Sequence, residues 1–395
     1  MDFTLTEAHQ RMRTTVREFA EKEIAPLIPE LDARGEHSTP MIRSMGKRGL
    51  LGICLPERYG GLGEDYISFG LACEELERVD TSARVVLAVH TALNSLTLLQ
   101  WGTEEQKHRY LVPQARGEKI AAYALTEPGA GSDAAAIEST ACRQGDHYLL
   151  NGSKFWISLA DVADHFLVFA YTDKSKGHHG ISAFIVERGF GISSGTIKGK
   201  LGVRAGNTGG LFLKDVPVPA ENLLGQEGEG FKIAMSALDN GRYTLASGAV
   251  GIICACLEAS VQYANERKTF GRPIGEHQLV QRMIAKMVAA RDSGRLLYYH
   301  AGWLKNQGIR HTRETALAKW VNCNAAFEAA NDAIQIHGAN GYFSRYPVER
   351  YFRNARGTTI YEGTNEIHEL LQAQYALGYR QDKPLRCTLP PWPSE

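Results

Sequence analysis

Charge of one sign is what this sequence has no excess of. Lys plus Arg and Asp plus Glu each number 44, so the formal net charge is zero. Nucleic acid and anionic membranes are met by basic surfaces, and this balance argues against both as partners. Long apolar runs are missing too. Ala246 to Cys256 is the nearest approach, reads as a buried helix, and leaves no membrane span expected. No charged segment followed by an apolar one opens the chain, so the expected compartment is a bacterial cytoplasm, or the mitochondrial matrix for a processed eukaryotic protein. The seven cysteines are an odd number scattered through apolar segments, which suits reduced core residues rather than a disulfide framework.

Familiar site motifs are also lacking. No G-x-G-x-x-G opens a βαβ unit, which excludes a Rossmann nucleotide site. Gly225 to Gly230 is glycine-rich but carries no Walker lysine. No H-E-x-x-H or C-x-x-C pair exists, and His178-His179 falls in a hairpin loop, so no catalytic metal is expected. There is no G-x-S-x-G elbow.

What is present is periodicity that changes twice. Leu5, Ala8, Met12, Val16 and Phe19 mark one face of a helix, with Thr4-x-x-Glu7 fitting a capping box. Helical spacing continues over 41–52, 69–78, 85–99 and 104–111. Short β-branched and aromatic runs follow at 120–125, 147–150, 154–157, 166–171, 181–186 and 210–213. Asn151-Gly152 between two of them is a two-residue hairpin signal. Strands joined without intervening helices imply an antiparallel sheet or small barrel. Helical spacing returns over 230–265, 275–305, 312–336 and 364–377, and a proline-rich arm follows Lys383. The expected architecture is α+β. It has a helical domain (1–118), a middle antiparallel β-domain (119–225), and a C-terminal four-helix bundle with an extended tail (226–395).

Five segments carry chemistry. Tyr123 to Asp133 (YALTEPGAGSD) is a strand followed by a loop whose glycines allow close ligand approach. Phe155-Trp156-Ile157-Ser158 ends another strand. Arg267 to Ile274 (RKTFGRPI), with His277-Gln278, concentrates cations between two helices, as a pyrophosphate would require. Gln335 to Tyr342 (QIHGANGY) ends a helix. Ile360 to Ile367 (IYEGTNEI) places one carboxylate, Glu362, between an aromatic residue and a glycine.

In this order, the segments resemble the acyl-CoA dehydrogenase family from about residue 5 to 378. The resemblance implies the same three-part architecture, FAD as cofactor, electron-transferring flavoprotein as electron acceptor, and a homotetramer. It implies flavin contacts from Tyr123, Leu125, Thr126, Ser132, Trp156, Ile157, Ser158, Thr364 and Glu366. Arg267, Thr269, Phe270, His277, Gln278, Gln335, Ile336, Gly338 and Ala339 match residues that hold the pyrophosphate and adenosine from a neighbouring subunit. Ser132, Asp239, Arg242, Tyr361 and Gly363 match positions around the CoA thioester, and Glu362 the base that takes the α-proton. Arg84, with Glu77, aligns with an arginine that binds the distal carboxylate in glutaryl-CoA dehydrogenases. A short dicarboxylic acyl-CoA is therefore the expected substrate, with a general short- or branched-chain acyl-CoA and a structural Arg84 as the alternative.

Overall fold

The computed structural model describes residues 4–393. The N-terminal part is helical: α1 (Glu7–Phe19), α2 (Ile28–Arg34), α3 (Thr39–Lys47), α4 (Tyr66–Val79), α5 (Thr81–Val86), α6 (Leu96–Trp101), α7 (Glu104–Gln106) and α8 (Val112–Ala115). A π-helical stretch, Leu87–Ser95, joins α5 to α6. The capping box of α1 is formed by Thr6 and His9, two residues later than Thr4 and Glu7 would place it.

Eight strands make the middle sheet: β1 (Ala121–Ala124), β2 (Thr140–Gln144), β3 (His147–Ser158), β4 (His165–Tyr171), β5 (Ile181–Glu187), β6 (Ser193–Thr196), β7 (Thr208–Pro219) and β8 (Leu223–Leu224). Their order is β6-β7-β3-β2-β4-β5-β8, with β1 beside β4. The sheet is mixed rather than antiparallel. β1 and β4 run parallel from Ala121/His165 to Ala124/Val168, and β2 meets β4 in parallel at Thr140/Tyr171. The long excursion from Leu125 through the β2–β3 pair acts as the crossover that a parallel neighbour needs.

Asn151-Gly152 does not turn the chain. β3 runs straight through it, and the register against β7 shifts between Leu150 and Gly152. Gly152 has φ 144, and a Cβ there would come within 2.2 Å of Ser139 Oγ. Asn151 donates to Asp215 Oδ1 at 3.0 Å and accepts from the Asp215 amide at 2.9 Å, which ties down the bulge. The dipeptide signals an unusual backbone, and a bulge uses that as readily as a turn does. The turn lies earlier, at Gly145-Asp146, between the paired Gln144 and His147.

The C-terminal part contains α9 (Gly230–Glu266), the small hairpin β9 (Lys268–Thr269) and β10 (Arg272–Pro273), α10 (Gln278–Asn306), α11 (Thr312–His337), α12 (Val348–Thr358) and α13 (Asn365–Ala376). α9 is the axis of the fold. One main apolar cluster joins the N-terminal helices and the sheet to one side of α9, and a second lies among α9, α10, α11 and α12. Thr81–Trp101 and Gly230–Glu266 are long and apolar enough to cross a membrane, but they are 94% and 83% buried inside the protein. Their apolar surface is spent on the core. Past α13 the chain runs as an arm. Cys387 accepts from Gln100 at 2.9 Å, and the Trp392 indole donates to Gly63 O at 2.9 Å.

Candidate active site

The turn between α12 and α13 carries Tyr361-Glu362-Gly363. Glu362 has φ 58 and Gly363 φ 92, two successive left-handed residues, the first strained for a residue with a side chain. The strain is held by partners on three helices. Arg242 of α9 donates from Nε to the Glu362 carbonyl at 3.3 Å, and Lys319 of α11 donates from Nζ to the Gly363 carbonyl at 2.7 Å. Thr364 caps α13, and the Asn365 amide closes the turn on Thr359 O at 3.1 Å. Among the described residues, the Glu362 N–H has no backbone acceptor.

This conformation directs the Glu362 side chain inward, where it is 11% exposed. Its floor is Gly241 of α9. A Cβ there would lie 2.9 Å from Glu362 Oε2 and 2.8 Å from Leu93 Cδ2. Oε2 has no hydrogen-bond partner among the described residues. Burial pushes the Glu362 carboxyl above its ordinary range, while Arg84, Lys319 and Arg242 pull part of the way back. Nearby His368 is fully buried, and among the described residues neither ring nitrogen has a hydrogen-bond partner. Burial, with Arg242 and Lys319 beside it, lowers its pKa to about 3, so it sits there as a neutral imidazole.

Arg84 and Glu77 are both wholly buried, and Arg84 Nε meets Glu77 Oε2 at 2.5 Å. Arg84 Nη2 donates to Tyr361 Oη at 3.1 Å, and Thr81 Oγ1 donates to Glu77 Oε1. Gly248, two turns along α9 from Gly241, makes room for the pair: a Cβ there would lie 2.9 Å from Glu77 Oε2. The carboxylate that compensates Arg84 is thus Glu77, from within the chain. Among the described residues Nη1 has no hydrogen-bond partner, and it lies 3.9 Å from Glu362 Oε1.

Of the other predicted residues, Tyr123 and Asp239 lie at the same end of α9. Tyr123 is buried and donates from Oη to Ala234 O at 3.3 Å, and Leu125 is buried next to it. Asp239 accepts from Arg242 at 3.1 Å and from Thr312 at 2.6 Å. Thr126 and Ser158 are half-buried, Ile157 is buried, and Ser132 is exposed on its loop. The register of β3 shifts again between Lys154 and Ile157, leaving Trp156 58% exposed at φ 60.

Arg267, Thr269, Phe270, His277 and Gln278 lie elsewhere. They follow α9's far end, twenty-five residues of helix beyond Arg242, about 37 Å at the rise of an α-helix. Thr269 Oγ1 and His277 Nε2 are 3.0 Å apart, and Phe270 is 95% exposed at φ 50. Gln335, Ile336, Gly338 and Ala339 share that end, where His337 stacks on Tyr263 at 4.3 Å. Within one chain, these groups and Glu362 are not brought together.

Sequence reasoning missed Lys319, Gly241 and His368. A lysine amid Ala316-Leu317-Ala318 was the available signal for the first. The pair Glu127 and Lys154 was missed as well: Lys154 Nζ donates to Glu127 Oε1 at 2.6 Å, and Glu127 accepts from the Glu138 and Ser139 amides, which fixes the loop after β1.

Three profiles match the chain in order: the acyl-CoA dehydrogenase N-terminal domain over residues 6–118, the middle domain over 122–216, and the C-terminal domain over 228–377. The chain belongs to the acyl-CoA dehydrogenase family. It is 45% identical over 372 residues to a short-chain-specific acyl-CoA dehydrogenase of Clostridium acetobutylicum, covering 94% of this chain and 98% of the relative. Butyryl-CoA dehydrogenase of Megasphaera elsdenii superposes with TM-score 0.94 at 40% identity, covering 95% of this chain and all of the other. A glutaryl-CoA dehydrogenase in complex with glutaryl-CoA gives 0.91 at 39%, covering 96% and 98%.

Acyl-CoA dehydrogenases are FAD flavoproteins, and this chain's residues fit that cofactor. Two large aromatic side chains, Trp156 and Phe270, stand exposed on strained backbone where a flat ring could cover them. Ser158, two residues on, ends the same strand. The Arg267–His277 hairpin offers guanidinium, hydroxyl and imidazole groups suited to phosphate oxygens.

Proposed function

We propose that this acyl-CoA dehydrogenase desaturates a short-chain acyl-CoA between its α- and β-carbons, with Glu362 as the base. The observation that carries this reading is the Glu362 carboxylate, buried on a strained turn with one oxygen unpartnered. A thioester α-proton is weakly acidic, and a raised carboxyl pKa brings the base closer to it. The Glu362 N–H, without a backbone acceptor among the described residues, is available for the thioester oxygen as negative charge develops there. Bound FAD supplies the acceptor for the β-hydride. Tyr123, Leu125, Thr126, Ser132, Trp156 to Ser158, Thr364 and Glu366 would line the flavin, and Asp239, Arg242 and Gly363 the thioester.

A short chain is favoured because the buried Arg84–Glu77 pair fills the space over Gly248 beside the carboxylate, with Tyr361 hydrogen-bonded to Arg84. The short-chain relatives point the same way. A second reading, a short dicarboxylic acyl-CoA, is favoured by Arg84 Nη1, a buried donor without a partner facing the site. We further propose that a second copy supplies Arg267 to Gln278 and Gln335 to Ala339 to each flavin, as in a homotetramer, and that electrons leave to electron-transferring flavoprotein.

Anaerobic bleaching of the flavin band by butyryl-, isobutyryl-, glutaryl- and methylsuccinyl-CoA tests these readings. Fast bleaching by monoacids supports the first, and by diacids alone the second. No bleaching by any thioester would refute both.

A further inference from the structure

A cavity of about 240 Å³ opens at the surface between α1 and α10, with α9 as its floor. Arg13 and Arg17 of α1 line one side, and Arg291 and Arg295 of α10 the other. Cys254, Leu257 and Glu258 of α9 lie beneath them. Each helix thus contributes a pair four residues apart, which shares one helical face. Cys254 is twelve residues along α9 from Arg242, about 18 Å at the rise of an α-helix, so the cavity is separate from the Glu362 site.

Four guanidinium groups line this cavity against one carboxylate. Two of them are oriented by buried carboxylates of α4. Arg17 donates from Nε and Nη2 to the two oxygens of Glu75 at 2.8 and 2.9 Å. Arg295 donates from Nε and Nη2 to Glu74 Oε1 at 3.1 and 2.5 Å, and Tyr298 Oη donates to Glu74 Oε2 at 2.6 Å. These contacts use one edge of each guanidinium, and among the described residues Nη1 of both has no hydrogen bond. Arg13 is half-buried, with neither a hydrogen bond nor an ion pair among the described residues. Arg291 pairs with Asp292, its exposed neighbour in sequence. Glu258, the one lining carboxylate, is already engaged by Arg78 at 2.6 Å. Burial pushes the Cys254 thiol up, so the floor adds no negative charge.

We infer that this cavity binds a small polyanion carrying phosphate or carboxylate groups, held between the arginines of α1 and those of α10. A guanidinium fork matches the paired oxygens of either group. Arg17 and Arg295 are fixed in advance by Glu75 and Glu74, so binding orders little that is not already ordered. A single anionic group meets few of four guanidiniums set on two helices, and a ligand with at least two such groups engages both walls at once. The bound anion ties the N-terminal helical part to the C-terminal bundle. The thioester chemistry proposed above does not use this cavity, and the inference does not depend on it.

The test is titration calorimetry of the FAD-loaded enzyme at low ionic strength, with pyrophosphate and citrate as the probes. Arg13→Gln and Arg291→Gln remove charge without stranding a buried carboxylate, as changes at Arg17 or Arg295 would. Each should weaken binding about ten-fold, with flavin content and turnover of butyryl-CoA as in the wild type. Glu258→Gln removes the opposing charge and should tighten binding a few-fold. Binding of pyrophosphate alone assigns the cavity to phosphate groups, of citrate alone to carboxylates, and of both to polyanions of either kind. No binding of either probe, or an unchanged affinity in either arginine variant, overturns the inference, the latter because the heat then comes from another site.

Discussion

Replacing Glu77 with glutamine keeps the shape of the Arg84 pair and removes its negative charge. In the wild type, Arg84 is compensated by Glu77 at 2.5 Å and stands 3.9 Å from Glu362. Two effects then act on Glu362 in the same direction. Glu77's own repulsion, which raises the Glu362 pKa, disappears, and Arg84's attraction is no longer shared. Unit charges about 8 Å apart, on opposite sides of a guanidinium, interact by about 2 kcal/mol at an effective dielectric of about 20. Removing that interaction acts to lower the Glu362 pKa. The base works deprotonated, so wild-type activity falls as pH drops through its raised pKa, and in Glu77→Gln this acid limb should lie at lower pH. Leaving Arg84 short of a partner destabilises the fold by up to about 3–5 kcal/mol, less whatever Glu362 recovers. The assay is kcat against pH with butyryl-CoA, accompanied by urea denaturation of the FAD-loaded enzyme. An acid limb that stays in place or moves upward, in a variant that still folds and retains flavin, would refute the electrostatic reasoning.

Other changes give separate outcomes. Lys319→Met removes a cation that lowers the Glu362 pKa and the donor that holds Gly363 O, so its acid limb should move upward, opposite to Glu77→Gln; the same pH profile checks it. Glu362→Gln should cost about 10²–10⁴-fold or more in kcat while thioester binding, followed by the flavin spectrum, survives. Gly241→Ala puts a methyl group 2.9 Å from Glu362 Oε2 and should cost about 10²-fold in kcat by displacing the base. Gly251→Ala places a Cβ 2.2 Å from Glu74 O, where α4 and α9 meet, and should lower stability by about 1–3 kcal/mol or more in a denaturant titration.

The sequence was most legible where side-chain spacing alone decides structure. The α9 pattern from Gly230 to Asn265 ends within one residue of the observed helix because a core helix must stay apolar over its whole length. β2 and β6 escaped because Thr140–Gln144 and Ser193–Thr196 carry polar, largely exposed residues that give no alternation. α12 was concealed because Arg350 and Arg353 occupy inward positions, paired with Asp80 and Asp32, where an apolar pattern would be expected. Asn151-Gly152 was recognised as special but placed in the wrong kind of feature, since φ alone does not distinguish a bulge from a turn. In the site, Glu362 could be named from its motif, and Arg84 and Glu77 were named together. Their mutual pairing depends on Gly248, a residue 164 positions after Arg84 in the chain, and no local reading links them. Lys319 acts through a carbonyl 44 residues away, for the same reason.

The length of α9 has one more consequence. A single stiff rod bears Arg242 near one end and leads into the Arg267 hairpin at the other. In an assembly whose subunits share flavins, those ends serve two different reaction centres. If a second copy supplies that hairpin to each flavin, as proposed above, one continuous helix runs from one reaction centre to the next, and a substitution that disturbs its middle is expected to reach both.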